Sequence, residues 1–197
     1  MKLANLRILY LISCGALCLI VLSPTIDLIS PFPEGERYSE LYVLGPTHLM
    51  EGYPFNISAG ISYNFYLGVG NYMQDLKYYS VRVKFRNQSD SGPDSLSGSA
   101  SSLAPFLEYR IFLRNNESWE REIVFSLNDV SYNGNVSRVS NILVDGYSYD
   151  VDKTAVRDEV ASGYHYQLFF ELWIYNSAIS AFQYHNRFVG LWLNING

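Results

Sequence analysis

Residues 8–26 carry no charge, and a helix of that length, rising about 1.5 Å per residue, crosses a hydrocarbon core in one pass. Lys2 and Arg7 precede the run and Asp27 is the first charge after it, so the positive-inside rule keeps the N-terminus in the cytoplasm and exports the rest. A cleaved signal peptide has an apolar core of only about 7–15 residues, and Pro24 follows directly on Ser23, the best small-residue cleavage point. The expected organisation is a cytoplasmic N-terminus at 1–7, a retained transmembrane helix at 8–29, a Pro/Gly linker at 30–36 and an extracytoplasmic domain at 37–197. Cys14 and Cys18, one turn apart on one helix face, are the only cysteines, so the exported domain must hold together without a disulfide.

Seventeen Tyr and eleven Phe against four Lys make the chain rich in strand-forming aromatics. A net charge of -5 without clustered Lys and Arg excludes a nucleic-acid footprint, so no DNA or RNA partner is expected.

Alternation fixes the fold class. Ile61, Tyr63, Phe65, Leu67 and Val69 occupy every second position, as do Tyr79, Val81, Val83 and Phe85. Leu107 to Leu113 alternates again, Asn115-Asn116-Glu117 makes a turn, and Trp119, Arg121, Ile123 and Phe125 follow, which reads as a hairpin. A long strand runs from Tyr164 to Ile174, and a last one contains Trp192. About seven short antiparallel strands without crossover helices predict an all-β, immunoglobulin-like sandwich preceded by one N-terminal transmembrane α-helix. Two segments break the pattern. Residues 88–102 are low in apolar content and read as a mobile Ser/Gly-rich loop. Residues 129–163 read as an elaborated insertion in which Lys153-Thr154-Ala155-Val156-Arg157-Asp158-Glu159-Val160 forms a turn or two of helix.

Chemistry is sparse. His48, His165 and His185 are scattered without Cys or Glu at ligand spacing, no Gly-x-Ser-x-Gly elbow exists, and the domain offers no thiol. Asp145, Asp150, Asp152, Asp158 and Glu159 crowd the insertion but match no EF-hand, and they read as a solvated acidic loop rather than a Ca²⁺ site. No catalytic, metal or cofactor site is expected, and the chain reads as a non-enzyme. Sequons at Asn56, Asn87, Asn116 and Asn135 make glycosylation possible. Tyr147, Tyr149, Tyr164, Tyr166, Trp173 and Tyr184 could line a surface that stacks on sugars or on a protein, although alternate tyrosines on strands also pack.

Several segments are familiar. Arg37-Tyr38-Ser39-Glu40-Leu41-Tyr42-Val43-Leu44-Gly45-Pro46 and Glu51-Gly52-Tyr53-Pro54-Phe55-Asn56-Ile57-Ser58-Ala59-Gly60 resemble the opening of an archaeal domain of unknown function, number 1616. Asn115-Asn116-Glu117-Ser118-Trp119-Glu120 is similar to that family's turn, and Phe188-Val189-Gly190-Leu191-Trp192-Leu193-Asn194-Ile195 to its closing strand. The resemblance implies an archaeal envelope protein with a sandwich outside the membrane, and no activity or functional residue comes with it. Many members have several membrane helices where this chain has one, and the insertion at 129–163 exceeds the usual connection.

The expected function is therefore that of a single-pass, membrane-anchored protein that binds or scaffolds an envelope or membrane protein partner. The alternative is a carbohydrate-binding module at the cell surface.

Overall fold

The computed structural model describes residues 8, 10–18 and 36–195. The chain divides into two units, Met1–Glu36 and Arg37–Gly197. In the first, residues 8 and 10–18 are helical, and Cys14 and Cys18 are exposed. Among the described residues no helix is long and apolar enough to cross a membrane. The rest of the expected span, residues 19–29, lies outside the described residues, as do residues 1–7 and all of the expected linker but Glu36.

The second unit is all β. Its strands are β1 (Tyr38–Leu44), β2 (Asn56–Ile57), β3 (Tyr63–Tyr72), β4 (Lys77–Asn87), β5 (Leu107–Leu113), β6 (Glu117–Asn133), β7 (Val136–Val144), β8 (Tyr147–Val156), β9 (Tyr164–Asn176) and β10 (Ala181–Ile195). They form two five-stranded sheets, the first ordered β1-β3-β6-β7-β8 and the second β2-β10-β9-β4-β5. All pairings are antiparallel except the two-residue pairing of β2 with β10.

Period-two alternation builds the core. Phe65, Leu67 and Val69 of β3, Tyr79, Val81, Val83 and Phe85 of β4, and Leu168, Phe170 and Leu172 of β9 are all buried, as their spacing requires. Ile61, at the start of the expected β3 alternation, falls before the strand begins and is exposed. The sheets meet through Phe65 and Phe170, whose rings lie 5.6 Å apart, and through a 2.7 Å hydrogen bond between Ser137 Oγ and Tyr166 Oη.

Three local expectations need correction. Leu107–Leu113 and the strand after Asn116 are not a hairpin: β5 pairs with β4 in the second sheet, and β6 pairs with β3 in the first. Each strand carries its own apolar face, and the turn at 114–116 carries the chain from one sheet to the other instead of folding it back on itself.

The segment 129–163 is not an insertion on the sandwich but part of its first sheet. β6 runs on to Asn133, turns at Gly134 (φ 59°), and continues as β7, the Asp145-Gly146 turn (φ 51° and 83°) and β8. Both dihedrals of that second turn are positive, as a two-residue type I′ hairpin requires. Lys153 to Val156 belong to β8, and residues 157–163 close on the Asp158–Gly163 bridge rather than forming a helix. A register shift between Val139 and Asn141 moves the apolar positions of β7 to the opposite parity, which hides its alternation.

The Ser/Gly-rich loop 88–102 is folded onto the outer face of the second sheet. Its Ser101 is 7% exposed. Through the Ser101 backbone amide and carbonyl the loop serves a buried ion pair.

Candidate functional site

That ion pair joins Lys84 of β4 to Glu171 of β9, whose side chains are 2% and 0% exposed and 2.8 Å apart. Lys84 Nζ also donates to the Ser101 carbonyl at 2.8 Å, while the Ser101 amide donates to Glu171 Oε1 at 2.7 Å and Trp173 Nε1 to Glu171 Oε2 at 3.1 Å. With this many partners neither buried charge is left uncompensated. Beside it, the Arg82 guanidinium lies 3.7 Å from the centre of the Trp173 ring and pairs with Glu108.

A second polar cluster sits between the sheets. Ser39 Oγ lies 2.7 Å from Tyr79 Oη, Tyr79 Oη donates to Asn71 Oδ1 at 3.0 Å, and His185 Nε2 lies 3.1 Å from Ser39 Oγ. Burial, and then the charges of Arg187 and Lys77, hold the His185 pKa below its ordinary value. Ser39 is 2% exposed, so its hydroxyl is shielded from solvent within this cluster.

The expected aromatic surface does not assemble. Tyr164 and Tyr166 are buried, the latter hydrogen-bonded to Ser137. Trp173 and Tyr184 are half-buried neighbours with ring centres 5.8 Å apart. The Tyr184 hydroxyl is buried without a hydrogen-bond partner among the described residues, and its pKa is pushed up to about 12 by burial and by Glu171. Tyr149 leans on Phe106 at 5.4 Å, next to a cleft of about 290 Å³ lined in part by Phe85, Pro105, Phe106, Asp150 and Lys153. Only Tyr147, at the β7–β8 turn, stands well out into solvent.

Asp145, Asp152 and Asp158 are engaged separately. Asp145 pairs with Arg121, and Asp152 with Arg138, whose hydrogen bond lowers the Asp152 pKa. Asp158 accepts from the amides of Ala161 and Val160, which lower its pKa. Among the described residues no group of three His, Cys, Asp or Glu is placed to hold a metal ion. The histidines stay apart: His48 stacks on Tyr66 at 3.6 Å, and His165 lies 6.3 Å from the Phe55 ring.

The four sequons differ in availability. Asn116 and Asn135 sit exposed on turns. Asn87 Nδ2, the atom a glycan would use, donates to the Thr154 carbonyl at 2.7 Å, and Asn56 Oδ1 accepts from Asn194 Nδ2 at 3.0 Å.

Sequence reasoning missed the apolar loops at the end of the sandwich opposite the start of β1. The loop 45–62 displays Leu49, Met50, Phe55 and Ile61, and the turn 157–163 displays Val160, which is 96% exposed. Asn194 ties the two segments together, its amide donating to the Phe55 carbonyl and its side chain to the Ser162 carbonyl. The signal was present: aliphatic residues standing among Pro46, Gly52 and Pro54, where turn chemistry alone would call for polar side chains.

Comparison with known proteins adds a family and little else. No curated protein matches the chain. Among solved structures it is similar to a β-glucosidase from Listeria innocua: in complex with gluconolactone at 11% identity, with 83% of this chain and 17% of that chain covered and a TM-score of 0.35. In the complex with isofagomine the identity is 10%, the coverage 82% and 16%, and the TM-score 0.37. The chain thus spans about a sixth of that enzyme, and a likeness this weak carries nothing about function. The family model described as "Domain of unknown function (DUF1616)" matches residues 32–162, well over half of the sequence, and the chain belongs to that family.

Proposed function

We propose that the chain is a non-enzymatic, membrane-anchored extracytoplasmic module of the archaeal cell envelope that docks another envelope protein. The observation that carries this reading is the set of exposed apolar side chains on two segments, Leu49, Met50, Phe55 and Ile61 on loop 45–62 and Val160 on turn 157–163, which Asn194 ties together through Phe55 and Ser162. Residues 8–29 supply the single transmembrane helix in this reading, and the two sheets an immunoglobulin-like sandwich on its outer side. The crossings from β1 to β2, β2 to β3, β3 to β4, β5 to β6 and β8 to β9 stitch the sheets together and leave their loops free to vary.

Photo-crosslinkers placed at Met50, Phe55 and Val160 of the full-length chain in its native membrane test this. Capture of one and the same protein from all three positions, abolished by Phe55→Asp with the fold intact, is the expected result. Recovery of the chain alone overturns it.

One observation favours a second reading. The cleft beside Tyr149 brings Phe106, Asp150 and Lys153 to one concavity, a combination that suits a sugar ring. Glycan binding lost on Phe106→Ala, with no protein captured at the loops, would favour a carbohydrate-binding module.

A further inference from the structure

The opposite end of the sandwich, where β1 begins, is built differently. Tyr38 pairs with Tyr72, Asn71 with Glu117, Lys77 with Leu113, and Asn176 with Ala181, which brings Arg37, loop 73–76, turn 114–116 and turn 177–180 to one level. Just inside those turns runs a row of aromatic rings on the outer face of the second sheet. Phe112 and Tyr78 stack at 4.0 Å, Tyr78 lies 5.9 Å from Tyr175, and Tyr175 lies 5.4 Å from Phe182. On the outer face of the first sheet Tyr38 and Tyr72 stack at 4.8 Å, at the same level. The row therefore continues around both faces. Beyond it, at the tips, Leu76 and Ile179 are 60% and 55% exposed.

A ring of Tyr and Phe with aliphatic tips beyond it is the pattern that the boundary between water and hydrocarbon selects, because each ring has an apolar body and, in Tyr, a hydroxyl that stays wet. Charge separates the two ends. At this end Arg37, Lys77 and Arg114 stand among Asp75 and Glu117, whereas the turns opposite present Glu51, Asp158 and Glu159 against Arg157. A tip without excess negative charge approaches a lipid surface without the repulsion that an acidic one meets at anionic headgroups.

Chain length points the same way. The eight residues 30–37 reach at most about 28 Å when extended, and they join the domain at this end. The far end lies about 40 Å further along β9.

We propose that this end of the domain rests on the bilayer, with the ring Tyr38, Tyr72, Tyr78, Phe112, Tyr175 and Phe182 at headgroup level and Leu76 and Ile179 at the acyl boundary. The inference rests on the reading of residues 8–29 as a membrane anchor. The contact holds the domain against the membrane and points the Leu49–Val160 loops away from it.

The test uses the full-length chain with Cys14 and Cys18 replaced by serine, reconstituted into phosphatidylcholine vesicles. Leu76→Cys, Ile179→Cys and Val160→Cys each receive an environment-sensitive fluorophore, and lipids carrying a nitroxide supply the quencher. All three positions are exposed, so labelling leaves the core intact. Severalfold stronger quenching at 76 and 179 than at 160 is expected. Equal, weak quenching at all three positions, in a chain that resists carbonate extraction, overturns the contact while leaving the anchor standing. Release of the chain by carbonate would instead remove the anchor, and quenching at 76 and 179 by added vesicles then decides the contact by itself.

Discussion

Lys84 and Glu171 lie 2.8 Å apart on adjacent strands, sealed from water by a loop whose Ser101 bonds to both of them. Removing one partner strands a charge. Lys84→Met is expected to lower unfolding stability by about 3–5 kcal/mol. Lys84→Met with Glu171→Leu recovers most of that loss but leaves the Ser101 amide and the Trp173 indole N–H without their acceptor. Denaturant titration of the single and double variants, with limited proteolysis of loop 88–102 as a second readout, checks both statements.

Tyr42 lies flat over Gly68, where a Cβ would come within 2.1 Å of its ring. The Gly68 backbone has no positive φ, so space alone forbids a side chain there. Gly68→Ala is expected to displace the ring, break its hydrogen bond to Glu120 and cost about 1–3 kcal/mol. Combined with Tyr42→Ala the glycine substitution should cost almost nothing further, a coupling that a double-mutant cycle measures.

His185 gives the fold an acid sensitivity. Burial holds its imidazole below the ordinary value near 6.5, so as pH falls the unfolded chain takes up this proton before the folded one does. Its contribution is complete above about pH 6.5 and is lost progressively below it. Unfolding midpoints compared between neutral and mildly acid buffer should fall for the native chain, and His185→Gln should flatten that slope.

Gly146 occupies a positive φ of 83° with open space around its Cα. Gly146→Ala therefore meets no neighbour and isolates the backbone cost, expected at about 1–2 kcal/mol. A loss well above that in thermal unfolding would mean that the β7–β8 hairpin contributes more to the fold than its edge position suggests.

The core was legible wherever apolar and polar side chains alternate along a strand, as at Val81, Val83 and Phe85 against Arg82 and Lys84, although the polar side of β4 is covered at Lys84. Pairing was not. Leu107–Leu113 and Glu117–Asn133 show the alternation and turn of a hairpin, yet the turn is an arch between sheets, a choice made by which apolar face lies opposite rather than by residues 114–116. β7 and β8 escaped notice for two reasons, the register shift near Val139 and the solvated outer positions of an edge strand such as Asp150 and Asp152. Asn133-Gly134 and Asp145-Gly146 nevertheless announced both turns. Tyr164 and Tyr166 show the limit of reading side-chain type: a tyrosine on a central strand is as good a core residue as a leucine once its hydroxyl finds Ser137, as that of Tyr166 does.

Strand order also sets a timetable. β2 finds its only neighbour in β10, with Asn56 and Asn194 separated by 138 positions, and β4 waits for β9. A chain emerging N-terminus first can close β1 on β3 and add β6 to β8 as they arrive, but the second sheet lacks its middle strand until the last quarter has been made. During synthesis the apolar face of β4 therefore stays unsheltered longest, and the slow, non-local closure by β9 and β10 is the step at which a holding chaperone would be needed.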